Sequence, residues 1–133
     1  MLADVLFPPA DQRRTTLSLL TWWESRRLMF NAVVGGAGLF TLLVVYLISF
    51  IPPGAHMPIA WQPIAAYGVL ANICYTFGWA LEAAAQRIWG DKCPKFGPAL
   101  FRQGLAFSVG LTLLPILLMS FTWVVRSLMW LLN

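Results

Sequence analysis

The chain has 133 residues, of which 59% are hydrophobic and 11% charged, with nine basic groups against five acidic ones, a net charge of +4 and a mean hydropathy of +0.73. A soluble domain is roughly a quarter charged, so this composition excludes one. At about 20 residues per helical crossing, the length holds three spans with short loops and no separate soluble domain.

In chain order, residues 1–28 form an N-terminal segment at the membrane surface. Its first eleven residues, with Phe7-Pro8-Pro9, show no helical period. Thr21-Trp22-Trp23-Glu24 has the S/T-x-x-E form of a capping box and predicts a helix that starts in the interface and continues into the first span. That span covers residues 29–51, contains no charged group, and closes on Pro52-Pro53-Gly54. Ser25-Arg26-Arg27-Leu28-Met29 superficially matches a twin-arginine export signal. The apolar run after it is too long and too hydrophobic for a leader and no A-x-A site follows, so it reads as a retained span.

The second span covers residues 61–86, with Pro63 in its first turn and only Asn72 and Glu82 interrupting it before Arg87. The third apolar run, residues 98–132, would be ~50 Å long as one helix. The crossing is therefore placed at residues 104–125, with 101–103 leading in and 126–133 forming an interfacial tail. Pro115 predicts a kink, because it frees the carbonyl of Leu111. Dividing this run into two crossings leaves each too short. The fold expected is all-α, an integral-membrane three-helix bundle with an interfacial N-terminal helical extension, in one transmembrane domain over residues 1–133.

Charge gives the orientation. Arg13, Arg14, Arg26 and Arg27 precede span one, and Arg87, Lys92, Lys95 and Arg102 separate spans two and three, whereas Arg126 stands alone at the other side. By the positive-inside rule the N-terminus is cytoplasmic and the C-terminus outside. Trp22, Trp23 and Trp89 mark the inner boundary, and Trp61, Trp123 and Trp130 the outer one. The basic balance is thus accounted for by orientation and by attraction of anionic lipid headgroups to Arg87, Lys92, Lys95 and Arg102, and no nucleic-acid partner is expected.

The polar and small residues fall into stripes. On span one, Arg27, Asn31, Gly35 and Gly38 follow steps of four, four and three. On span two, Trp61, Ala65, Gly68, Asn72, Tyr75, Trp79, Glu82 and Gln86 alternate steps of four and three. On span three, Gly104, Ser108 and Thr112 are four apart. Small residues at such spacing let another helix approach closely. The helix-packing stripe is accordingly Gly35, Gly38, Gly68, Asn72, Tyr75, Trp79, Gly104, Ser108 and Thr112.

Glu82 is the one acid inside a span, ~7.5 Å inward of Arg87. An intramembrane carboxyl is a functional candidate that needs a partner. Matching depths predicts a cluster of Glu82 with Arg27 or Arg26, Asn31 and Arg102. Three roles stand open for it: a structural ion-pair lock, a proton or cation site, or an interfacial carboxyl reaching for water. His56 is the sole histidine and reads as a solvated loop residue, and Met57 beside it completes no ligand set, so no metal or cofactor is expected. Cys93, between Lys92 and Lys95, lacks a nearby base, and its depth differs from that of Cys74 by more than a disulfide can bridge. No catalytic constellation is present, and the chain is not read as an enzyme.

Two strings, Trp22-Trp23-Glu24-Ser25-Arg26-Arg27-Leu28-Met29-Phe30-Asn31 and Asn72-Ile73-Cys74-Tyr75-Thr76-Phe77-Gly78-Trp79-Ala80-Leu81-Glu82, resemble W-W-E-x-x-R and N-x-x-Y-x-x-G-W-x-x-E motifs of small bacterial membrane proteins without an assigned activity. The resemblance covers about two spans and implies a bacterial cytoplasmic membrane but no chemistry. The expected function is a non-catalytic accessory, stabilising or assembly subunit bound to other membrane-protein subunits, with an energy-transducing complex, respiratory or photosynthetic, as candidate host. The alternative is a small ion-coupled transporter or channel, active as a homo-oligomer through Glu82.

Overall fold

The computed structural model describes residues 15–53, 60–90 and 96–132. Arg13, Arg14, His56, Met57, Lys92, Cys93 and Lys95 lie outside the described residues. Three helices account for almost all of the rest: α1 (Thr16–Phe50), α2 (Trp61–Trp89) and α3 (Gly97–Leu132), with no strand among the described residues. This is an all-α three-helix bundle. Each helix is long and apolar enough to cross a membrane, with 18-residue windows of mean hydropathy 2.2, 1.4 and 2.0. Only 17%, 11% and 11% of those windows are buried within the bundle, so most of their apolar side chains face outward, as a lipid-embedded helix requires. The chain is a multi-pass membrane protein.

The helices start and stop for local reasons. α1 is capped by Thr15, whose hydroxyl oxygen accepts from the Ser18 amide at 3.3 Å. The capping box expected at Thr21 does not form. Thr21 is already inside the helix and its hydroxyl donates to the Leu17 carbonyl at 2.9 Å, because the apolar period that drives α1 extends back to Leu19. α2 ends at Gly90, whose φ of 54° lies in the left-handed region where glycine carries no Cβ penalty. α3 begins at Gly97 and stays helical through Pro115, so the separate lead-in and tail belong to one helix.

Burial on α1 falls at Leu19, Trp23, Phe30, Val34 and Thr41, in steps of four and seven that keep one face toward the bundle. The core is concentrated at the end where α1 and α3 begin: Leu19, Trp23, Phe30, Val34, Ala71, Tyr75 and Phe101 pack together, flanked by Trp22, Met29 and Trp79. α2 runs antiparallel to α1, with Trp23 opposite Glu82, Arg27 opposite Thr76 and Asn31 opposite Asn72. α3 runs parallel to α1. Thr41 donates to the Thr112 carbonyl at 2.9 Å, and Trp123 Nε1 donates to the Ile51 carbonyl at 3.1 Å at the far end.

The small-residue stripes do not all pack. Gly38 approaches Thr112, whose Cγ2 would lie 3.8 Å from a Cβ there, but Gly35, Gly68 and Gly104 have nothing within 4 Å. Among the described residues, side-chain hydrogen bonds join α1 and α2 from Trp23–Glu82 up to Asn31–Asn72. The opening between them is a cleft of about 750 Å³, closed at the back by Leu111, Thr112, Pro115 and Met119 of α3. One polar knot holds its rear wall. The Tyr67 hydroxyl reaches the Ser108 carbonyl at 2.7 Å and Thr112 Oγ1 at 2.8 Å, and Thr112 Oγ1 also donates to the Ser108 carbonyl at 2.6 Å. Tyr67→Phe is expected to cost about 0.5–1.5 kcal/mol, the net worth of a neutral hydrogen bond. Unfolding titration in mixed micelles measures it, and an unchanged midpoint would show that the α2–α3 contact does not depend on this hydroxyl.

Candidate functional site

Glu82 is the most constrained polar group of the bundle. Its side chain is only 1% exposed, although it is an acid on an apolar helix. An unpaired buried carboxyl is costly, and the group that meets it is an indole: Trp23 Nε1 donates to Glu82 Oε2 at 2.7 Å. Trp23 is itself 2% exposed. Its ring lies edge-on to Trp22 at 5.4 Å and to Tyr75 at 5.3 Å, with Phe101 at 6.2 Å. These are favourable edge-to-face arrangements. The Tyr75 hydroxyl donates to the backbone carbonyl of Trp23, which fixes the turn of α1 that carries the indole.

Two glycines make room for this arrangement. A Cβ on Gly78 would stand 3.1 Å from the Trp23 ring, so its absence lets the indole lie against α2. A Cβ on Gly97 would collide with the Glu82 carboxyl, 2.6 Å from both Cδ and Oε1. Gly97 opens α3, where unbonded amides and the helix dipole suit an oxygen acceptor. Glu82 on α2 thus touches Trp23 of α1 and Gly97 of α3, tying three helices at one level. Oε1 is enclosed and accepts no hydrogen bond among the described residues.

The cluster expected from the sequence is not assembled in this form. Arg27 does not reach Glu82. Its Nη2 donates to Glu24 Oε1 at 2.8 Å and to Thr76 Oγ1 at 3.2 Å, and its guanidinium lies 5.1 Å from the Tyr75 ring centre. Thr76 is six residues from Glu82, about 9 Å along the helix, so the antiparallel register carries Arg27 past the carboxyl toward the middle of the bundle. Arg26 stacks over Trp22 at 4.1 Å and bonds the Trp22 carbonyl at 3.2 Å. Arg102 is exposed, five residues beyond Gly97. Taking Arg87 as the depth marker for Glu82 produced the misplacement, because Glu82 lies nearer the helix ends than Arg26, Arg27 or Arg102.

Asn31 and Asn72 form a separate pair. Asn31 Nδ2 donates to Asn72 Oδ1 at 3.2 Å, and Asn72 Nδ2 donates to Asn31 Oδ1 at 2.9 Å and to the Gly68 carbonyl at 3.1 Å. The pair sits at the foot of the cleft. Of the expected packing stripe, Tyr75 is buried, Trp79 half-buried and in the core, and Ser108 and Thr112 face Tyr67. Trp22 packs against Phe101 in the same aromatic cluster rather than marking a boundary alone, and Arg87 is exposed in the last turn of α2. The residues missed by sequence reasoning are Gly78, Gly97 and Phe101, and Trp23 in its buried role. Signals existed for Trp23, in its four- and seven-residue spacing from Leu19 and Phe30, and for Gly78, as the glycine of the N-x-x-Y-x-x-G-W-x-x-E string.

The chemistry available here is cohesive. Among the described residues there is no group of three His, Cys, Asp or Glu side chains able to hold a metal ion, and Glu82 lines neither the cleft nor the shallower groove beside it. No family model, curated protein or solved structure matches the chain.

Proposed function

We propose that the chain is a non-catalytic accessory, stabilising or assembly subunit of a larger bacterial membrane complex. It sits in the cytoplasmic membrane with its N-terminus cytoplasmic and its C-terminus outside. The observation that carries this reading is the sealing of Glu82. The acid that would have to exchange a proton or cation in a carrier is enclosed by Trp23 and Gly97 and lines neither the cleft nor the groove beside it. Asn31 bonds Asn72, Thr41 bonds the Thr112 carbonyl and Tyr67 bonds Thr112 across helices, which is how a scaffold uses such groups. Arg26, Arg27, Arg87 and Arg102 stand at one end of the bundle and Arg126 toward the other, which supports the proposed orientation. A respiratory or photosynthetic complex is the host this reading favours.

The second reading, an ion-coupled transporter or channel active as a homo-oligomer, draws on Glu82 Oε1, which has no hydrogen-bond partner among the described residues. Purification from native membranes in mild detergent, followed by intact-mass analysis, separates the two. Foreign subunits in fixed stoichiometry are expected. A pure homo-oligomer that loses ion coupling on Glu82→Gln, while remaining folded, would overturn the accessory reading.

A further inference from the structure

The α1–α2 side of the bundle carries two recesses that meet. The cleft of about 750 Å³ and a neighbouring groove of about 670 Å³ share Gly68 and Asn72 in their walls. Both volumes lie within the range of small-molecule sites. The groove runs from Arg27 and Thr76 past Ile73 and Val69 to Ala65. The cleft runs from Asn31 past Gly35 and Gly38 to Thr41 and beyond.

Their polar groups are stacked in order. Arg27 comes first: Nη2 is engaged, but Nη1 donates to nothing among the described residues. Arg26 is adjacent, and Arg102 stands near the same level, so the positive end of the bundle lies here. One helical turn further in, about 6 Å, is the Asn31–Asn72 pair. Asn31 Nδ2 uses one of its two N–H groups on Asn72, and its residue is exposed, leaving a donor at the mouth of the cleft. Beyond it the walls are apolar, and the bare faces of Gly35 and Gly68 set the width. Half of a ~30 Å hydrocarbon core is about 15 Å, the rise of ten helical residues, which is the distance from Asn31 to Thr41.

We propose that these recesses form a binding site for one anionic phospholipid of the surrounding leaflet. Its phosphate is held at Arg27 Nη1, its ester carbonyl oxygens accept from Asn31, and its two acyl chains lie in the cleft and the groove. Charge complementarity selects the headgroup, and the donor one turn below the arginine matches the position of the esters beneath the phosphate. A cavity open to hydrocarbon and empty would forfeit the contacts of its lining, and an acyl chain restores them.

The test uses the full chain in nanodiscs of dioleoylphosphatidylglycerol and dioleoylphosphatidylcholine at equal ratio, with lipid adducts counted by native mass spectrometry. The expected result is one retained phosphatidylglycerol, about fivefold enriched over phosphatidylcholine, the factor that one cation near an anionic headgroup supplies. Arg27→Gln removes the enrichment, Arg27→Lys keeps most of it, and Arg126→Gln leaves it intact. Gly35→Leu, which fills the chain slot without touching the charge, removes the retained lipid altogether. Glycerol phosphate added in excess does not displace the lipid, which distinguishes a leaflet lipid from a free phosphate ligand. Equal retention of the two lipids by the wild-type chain would overturn the proposal. So would enrichment that survives both Arg27→Gln and Gly35→Leu. A Gly35→Leu chain that keeps its lipid would overturn the placement of an acyl chain in the cleft. Circular dichroism on each variant confirms that the helices are retained, and Arg27→Lys reads the site should Arg27→Gln fail to fold.

Discussion

Trp23→Ala is expected to be the most damaging single substitution in the chain. Trp23 is the largest of the fully enclosed side chains, and it contacts Trp22, Tyr75 and Phe101 while donating to Glu82. Truncating a buried tryptophan costs about 3–5 kcal/mol through lost contacts and the cavity left behind. Here a second effect adds to it: Glu82 Oε2 loses its donor while remaining enclosed, a penalty of about 1–3 kcal/mol. Reversible unfolding in mixed micelles should show a loss of at least about 3 kcal/mol, with Trp23→Phe intermediate because it keeps one aromatic ring in the cluster while removing the donor and part of the indole's bulk. A loss under about 1 kcal/mol for Trp23→Ala would mean that the aromatic cluster does not hold the helices together.

Gly97→Ala should be the second most damaging, although it adds a single methyl group to a helix and alanine is ordinarily the better helix former. The added Cβ would collide with Glu82 Oε2 and lie 2.6 Å from Cδ and Oε1, and the carboxyl cannot swing aside freely because Oε2 is itself bonded to an enclosed indole. Overpacking of this kind costs about 1–3 kcal/mol. Gly104→Ala supplies the internal control. It lies on the same helix with nothing within 4 Å of the new atom, and should be neutral or stabilise by up to about 1 kcal/mol. Shortening the acid at the same time, in Gly97→Ala with Glu82→Asp, should recover part of the loss. Equal effects at Gly97 and Gly104 would remove the steric argument.

Both expectations concern residues that the sequence only half disclosed. The three long apolar runs and the all-α fold were legible from composition, because a bilayer permits few other solutions. Glu82, Asn31 and Asn72 stood out for the same reason, as rare polar groups in apolar runs. Their partners did not. Arg87 on α2 and Arg27 on α1 do not mark the same depth, because charged residues locate an interface only within about a turn or two, and the register places Arg27 opposite Thr76. The indole of Trp23 looked like a boundary anchor because tryptophan is so often one, yet the spacing from Leu19 to Phe30 and Val34 already put it on the buried face.

Glycine misled in the opposite direction. Gly35, Gly68 and Gly104 have the spacing of close helix contacts and face open space, whereas Gly78 and Gly97, which fit no stripe, sit against Trp23 and Glu82. A small residue permits approach without compelling it. What decides the matter is whether a large side chain on the facing helix needs the room, and that depends on register, which a single sequence does not encode locally.

The tie between Trp23 and Glu82 is tested most directly by a double-mutant cycle with Trp23→Phe and Glu82→Met, each of which removes one side of the hydrogen bond and leaves an apolar side chain in its place. Unfolding free energies of the four chains in mixed micelles give the coupling energy. The expected result is a double mutant less destabilised than the sum of the singles by about 1–3 kcal/mol, because each single change leaves the other polar group enclosed without a partner. Additivity within about 0.5 kcal/mol would contradict a three-helix bundle fastened at its basic end through this pair.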